Sequence, residues 1–170
     1  NAFNLARRLG FRDPEWFFAN SVSTNFPFGA YGLVTEAAYA ANLVQLANEA
    51  GEQALQWAYE EAKKAGIDVK TKLLLGEPAW ALLQFAQEEA ADLVCVHSQR
   101  KSALGSLFMG SVSRGLAIGS HQSVLISKCP TPAEWNVTAV FATDLSEYSD
   151  KTIDKLISLR PRGIGTVHVM

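Results

Sequence analysis

The stretch Asp92–Lys128, DLVCVHSQRKSALGSLFMGSVSRGLAIGSHQSVLISK, holds the residues whose order could do chemistry. A short apolar run, Leu93–Val96, gives way to a polar loop from His97 to Ser106. Gly110-Ser111 then opens a helical segment, and Ser123–Ser127 is a second apolar run. A loop between a strand end and a helix start gathers unpaired backbone N–H groups at the positive end of the helix dipole, which suits a phosphate. Gly110, Ser111 and Ser113 are the candidate contacts. The same residues also make sense as an N-cap serine after a flexible loop, and the residues alone leave both readings open.

Other chemistry has less support. Ser102, Ser106 and Ser111 lack the Gly-x-Ser-x-Gly surround of a nucleophile elbow. Glu60-Glu61 and Glu88-Glu89 are adjacent on helical stretches, so their carboxylates diverge rather than pair. His97 stands alone at a strand end, where histidine more often caps or packs than catalyses. Three histidines with no paired Cys/His spacing argue against a zinc site. Cys95 lies within one apolar run and Cys129 just beyond the next, which reads as two reduced thiols in a cytoplasmic protein.

The elements that must position these residues alternate. Asn1–Leu9 reads as the end of a helix, with Arg7-Arg8 in its last turn and Gly10 after it. Glu15–Val22 is an aromatic-rich strand, followed by a loop from Ser23 to Gly32. Thr35–Ala65 is a long helix whose apolar stripe runs Leu43, Leu46, Ala47, Ala50, Ala54, Trp57, Ala58 and Ala62. Val69–Leu75 reads as a buried strand, Gly76-Glu77-Pro78 as a turn, and Ala79–Ala91 as an amphipathic helix. After a proline-bearing linker, Cys129–Asn136, the pattern restarts: strand Val137–Thr143, helix Ser149–Leu159, loop Arg160–Gly165 and strand Thr166–Met170. Alternating strands and helices imply βαβ units and a mainly parallel sheet covered on both faces.

Composition agrees with a globular domain: 170 residues, 48% hydrophobic and 19% charged, are enough for one core. A net charge of −2 gives no electrostatic reason for nucleic acid or an anionic membrane as partner. No uncharged apolar run approaches the roughly 18–20 residues of a membrane span. In NAFNLARRLG the basic residues follow the apolar ones, the wrong order for a secretory signal.

These segments resemble the universal stress protein family. AADLVCVHS is similar to the family's "ADLIVVG" strand, Gly76-x-Pro78 to its turn before a helix, and NAFNLARRLG to its first helix. The loop is similar to the family's phosphate motif, two glycines three apart, then nine residues, then Gly-Ser or Gly-Thr. Lys101–Met109 supplies the nine and Gly110-Ser111 the end. VFATDLSEYSDKTI resembles the family's opening strand, whose acidic residue holds adenine in nucleotide-binding members, and Asp144 takes that position.

The resemblance implies an α/β fold with a parallel five-stranded-type sheet and helices on both faces, Rossmann-like, of the adenine nucleotide alpha hydrolase kind, in tandem. Residues 1–128 would be a first domain lacking its first strand, residues 129–136 a linker, and residues 137–170 the beginning of a second domain. The chain would then be a fragment of a tandem protein, or a tandem protein with some of its residues missing. In a permuted alternative, Val137–Thr143 fills the empty first-strand place of the first domain.

The departures bear on ligand. His97 and Arg100 stand where the motif has glycines, so the backbone freedom that admits a phosphate is lost there. Arg100 and Lys101 would pair with a phosphate tail by charge, or simply stay solvated. Asp144 would hold an adenine amino group or ribose, or start its helix with an Asx turn. The implied function is a non-catalytic stress-response or signalling module with a degenerate nucleotide or phosphate site. ATP or another adenine nucleotide would be its ligand, if it has one. The alternatives are an ATP-binding switch with slow hydrolysis, and a structural dimerisation module. The partner implied is a second copy of the chain or an internal pseudo-dimer, paired through the Ser123–Ser127 strand, which the dimerisation module would rest on.

Overall fold

The computed structural model describes residues 2–23, 33–98, 109–128 and 137–170. Chain order is α1 (Ala2–Leu9), β1 (Phe17–Val22), α2 (Leu33–Lys64), β2 (Lys70–Leu75), α3 (Pro78–Glu88), β3 (Leu93–His97), α4 (Ser111–Gly119), β4 (Ser123–Ser127), β5 (Val137–Phe141), α5 (Glu147–Ser158) and β6 (Ile164–Val169). The alternation read from the sequence holds for each of these elements. No helix among the described residues is long and apolar enough to cross a membrane.

Among the described residues the single five-stranded, Rossmann-like sheet is not observed, nor is a tandem pair of such sheets. The strands form three separate two-stranded parallel sheets, β1–β2, β3–β4 and β5–β6. Each is a local βαβ unit, with α2, α4 or α5 as the crossover that a parallel pair requires. In a doubly wound sheet the first strand sits in the middle and joins the two halves. None of the described strands takes that bridging place: β1 pairs with β2, and β3 with β4. The permuted alternative fails as well, because β5 hydrogen-bonds to β6, from Val137 opposite Ile164 to Phe141 opposite Val169.

The chain forms two compact units. One comprises Glu15–Ala90 and Arg114–Ser120. There α2 lies on β1 and β2, but not by the stripe expected from the sequence. Ala62 is buried as expected, but Leu46 and Trp57 are 60% and 64% exposed, while Gly51 and Leu55, outside the stripe, are buried. The buried face is therefore turned one residue, about 100°, from the expected one. Gly51 explains the turn. A Cβ there would lie 2.7 Å from Leu73 Cδ1 and 3.0 Å from Val22 Cγ2, so the bare backbone is what lets the helix settle onto the strands. Asn20 Nδ2 donates to the Gly51 carbonyl at 3.3 Å in the same notch.

In α3, Pro78 opens the helix and the Glu77 side chain caps it by accepting from Trp80 N at 3.0 Å. The helix stops at Glu88, short of the expected Ala91, as Ala90 turns to a φ of 48°. Phe85 points inward and meets Phe17 edge-to-face, ring centroids 5.8 Å apart. Gly115 and Gly119, one turn apart in α4, bring that helix against Ala79 and Leu83 of α3, at distances a Cβ would not tolerate.

The other unit comprises Asn1–Pro14, Ala91–Ser113 and His121–Met170. The face of α1 carrying Ala2 and Ala6 is buried, and the helix packs on β3 and β4. The carbonyls of Leu9 and Gly10, at its C-terminal end, accept from Gly163 N at 2.8 Å and Arg162 N at 3.2 Å. Such terminal carbonyls have no partner within their own helix. A Cβ on Gly163 would collide with the Arg8 carbonyl, so only glycine allows that approach. Lys155 Nζ of α5 donates to Asp92 Oδ1 at 2.5 Å, just ahead of β3.

Candidate functional site

The parallel strands β3 and β4 end together, with His97 opposite Ser127. Ser98 N donates to the Ser127 carbonyl at 2.8 Å, extending the ladder by one residue. His97 Nδ1 stands 3.4 Å from Ser127 Oγ, a long contact between an exposed ring and a buried hydroxyl. Facing these strand ends is the start of α4. Gly110 N points at the buried Ser98 Oγ at 3.5 Å, at the far limit of a hydrogen bond. Gly110 and Ser111 are exposed, and Ser113 in the first turn is 4% exposed. The first turn of α4 carries no acid, so its dipole is not complemented by a carboxylate of its own.

The structure thus brings Gly110, Ser111 and Ser113 together on one helical turn, beside the strand end that carries His97. Arg100 and Lys101 lie outside the described residues. Ser98 and Ser127 were not singled out from the sequence. The available signal was that Ser127 is the first, and Ser98 the second, polar residue after an apolar strand run. Cys95, one strand position inside this edge, is half-buried, and burial pushes its thiol up to about 11. It stays a neutral thiol at physiological pH, an unreactive form.

Asp144 lies elsewhere, in the turn from β5 to α5. Its Oδ1 accepts from Ser146 N at 3.0 Å and from Ser149 Oγ at 3.1 Å. Thr143 Oγ1 accepts from Leu145 N at 3.0 Å, and Ser146 Oγ accepts from Ser149 N at 3.2 Å. The Asx turn is therefore present. Hydrogen bonds from Ser146 first, then Ser149, hold the Asp144 carboxyl below its ordinary range. Leu145 adopts a φ of 60°, and its side chain is 86% exposed. Among the described residues no group of three or more His, Cys, Asp or Glu could hold a metal ion.

Parallel strand pairs, each joined by a crossover helix, define an α/β protein. The sequence profile of the universal stress protein family matches residues 20–128. The chain is 30% identical over 130 residues to universal stress protein MJ0531 of Methanocaldococcus jannaschii, covering 76% of this chain and 72% of that one. The chain belongs to the universal stress protein family. At family level its role is that of a non-catalytic stress-response module associated with nucleotide or phosphate. Among solved structures, the fold is similar to hypothetical protein MJ0577, with a TM-score of 0.55, 18% identity, and coverage of 71% of this chain and 80% of that one. A universal stress protein solved in complex with cAMP is 28% identical, with a TM-score of 0.45, and 66% of this chain and 75% of that one are covered.

Proposed function

We propose that this chain is a cytoplasmic stress-response or signalling module whose first turn of α4 holds a phosphate group, as a degenerate form of a nucleotide site. The reading rests on one observation: Gly110 and Ser111 stay exposed at a helix start that has no acid in its first turn. Loss of glycine at His97 and Arg100 removes the backbone approach that would grip a whole nucleotide. Ser111 and Ser113 then serve as hydroxyl partners for the phosphate, Arg100 as a charge partner, and Asp144 as a contact for adenine or ribose when the ligand is ATP or another adenine nucleotide. In this reading the family domain ends at Lys128, and residues 129–136 link it to residues 137–170.

Isothermal titration with inorganic phosphate and with ATP tests it. Millimolar phosphate binding, with ATP little tighter, is the expected result. Sub-micromolar ATP binding overturns the degenerate site. In that case the ATP-binding switch becomes the better account, and phosphate release from ATP measures its slow hydrolysis.

A second reading, the dimerisation module, is favoured by β4, which among the described residues pairs with β3 alone. Its other edge would join a second copy of the chain. Light scattering at the protomer mass is the result that removes this reading.

A further inference from the structure

The chain has seven arginines, and five of them, Arg7, Arg8, Arg12, Arg160 and Arg162, fall in two short segments, residues 7–13 and 160–163. The fold joins those segments. Arg162 N and Gly163 N donate to the carbonyls of Gly10 and Leu9, and a Cβ at Gly10 would be 3.7 Å from Arg162 Cβ. Gly10 itself has a φ of 61°, which turns the chain sharply out of α1 at this point. Arg7, Arg12, Arg160 and Arg162 are exposed and Arg8 is half-buried. Asp13 is the one acid in the two segments, and it meets Arg12 Nε at 3.4 Å.

Part of this charge has a local reason, since Arg7 and Arg8 complement the C-terminal dipole of α1, and Arg7 sits 5.6 Å from the Phe3 ring centroid. Arg160, just past the end of α5, has the same local reason, its N–H donating to the Ile157 carbonyl at 3.0 Å; Arg162 lies beyond any helix end of its own, and the backbone bonds bring it to the end of α1. Crowding like charges costs stability unless an anion relieves it. The whole chain carries −2 while the two segments carry +4, so the rest of the chain is net acidic, at −6. A long polyanion that overran the junction would meet that acidic surface. A short run of carboxylates would not.

The geometry points to the α1–β6 junction as a docking surface for a short acidic segment of a partner protein, whose carboxylates pair with the guanidinium groups of Arg7, Arg12, Arg160 and Arg162. Guanidinium is suited to this, because its planar fork can take a carboxylate through two parallel hydrogen bonds. The surface is independent of the phosphate reading at α4.

Fluorescence anisotropy with a labelled hexaglutamate peptide at low salt, on the full chain, tests it. Wild type should bind, and binding should weaken steeply as salt rises. Arg160→Gln/Arg162→Gln and, on the other arm, Arg7→Gln/Arg12→Gln should each lose about tenfold in affinity, with circular dichroism unchanged. Lys63→Gln/Lys64→Gln removes the same charge from α2 and should stay within about twofold of wild type. The proposal is overturned if wild type does not bind, if only one arm matters, or if the lysine variant loses as much. It is also overturned if an oligouridylate of equal charge binds more tightly than the peptide, which would assign the surface to a phosphodiester backbone instead.

Discussion

The turn from β3 to α4 and the turn from β5 to α5 occupy the same place in their βαβ units, yet they treat the helix N-terminus in opposite ways. At α5, Thr143, Asp144 and Ser146 accept from the N–H groups of Leu145, Ser146 and Ser149, and Glu147 and Asp150 add negative charge to the first turn. At α4 the first turn has no acid, and among the described residues Gly110 N meets the distant Ser98 Oγ. A helix start that is already capped and acidic has little to offer an anion, whereas one with neither feature still attracts it. Position after a parallel strand therefore does not define a phosphate site. The side chains that close or leave open the helix end decide it.

The largest test is to close α4 in the manner of α5. Gly110→Asp has room, as nothing lies within 4 Å of a Cβ there. It should weaken phosphate binding about tenfold or more, roughly 1.4 kcal/mol, in titration calorimetry while leaving Tm equal or higher. Undiminished phosphate binding would place the anion elsewhere. Next in size, Ser146→Ala removes the cap on Ser149 N and should cost about 1 kcal/mol, lowering Tm by roughly 2–4 °C. Ser111→Ala, at the open end, should change Tm by less than about 1 °C, and an equal drop in the two variants would erase the contrast between the turns.

A smaller effect is expected at Asp144. Asp144→Ala loses the Asx turn and should lower Tm less than Ser146→Ala does, whereas Asp144→Asn keeps a carbonyl acceptor and should restore most of it. A full Tm loss with asparagine would mean that the charge, not the turn, matters. The smallest effect is on pH dependence. Because the folded carboxyl lies below its ordinary value of 3.8, its contribution to stability is complete above that value. It fades as pH falls through the folded pKa. A carboxyl titration of Asp144 by NMR with a midpoint at or above 3.8 would contradict the hydrogen bonding described for this turn.

The order of elements was legible because strand and helix periods differ and because glycine and proline mark the ends, as at Gly66 and Pro78. Sheet membership was not legible. Apolar runs such as Leu93–Val96 and Val137–Phe141 say that a strand is buried, but not which strand lies beside it. The buried face of α2 was misread because alanines and a tryptophan outweigh a glycine in any apolar stripe. Gly51 contributes by what it lacks, and that shows only when Leu73 and Val22 stand opposite it. At the candidate site, Gly110-Ser111 was visible as a helix start. Ser98 and Ser127 were not, because their meeting depends on the register of β3 with β4. The Asx turn at Asp144 was readable as one of two possibilities, and hydrogen bonds to Ser146 and Ser149 show it formed.

The bonds from Arg162 and Gly163 to the end of α1 set a sequence of events for the living cell. The helix leaves the ribosome well before the amides that meet its Gly10 and Leu9 carbonyls, which come from residues 162 and 163. Until they arrive, those carbonyls can be served only by water, and the face of α1 that carries Ala2 and Ala6 must also wait for β3 and β4. The unit that holds α1 is thus completed late, after the segment from Glu15 to Ala90 has already had time to fold. Pausing synthesis between those two points should yield a nascent chain with one protease-resistant part and one that is still digested.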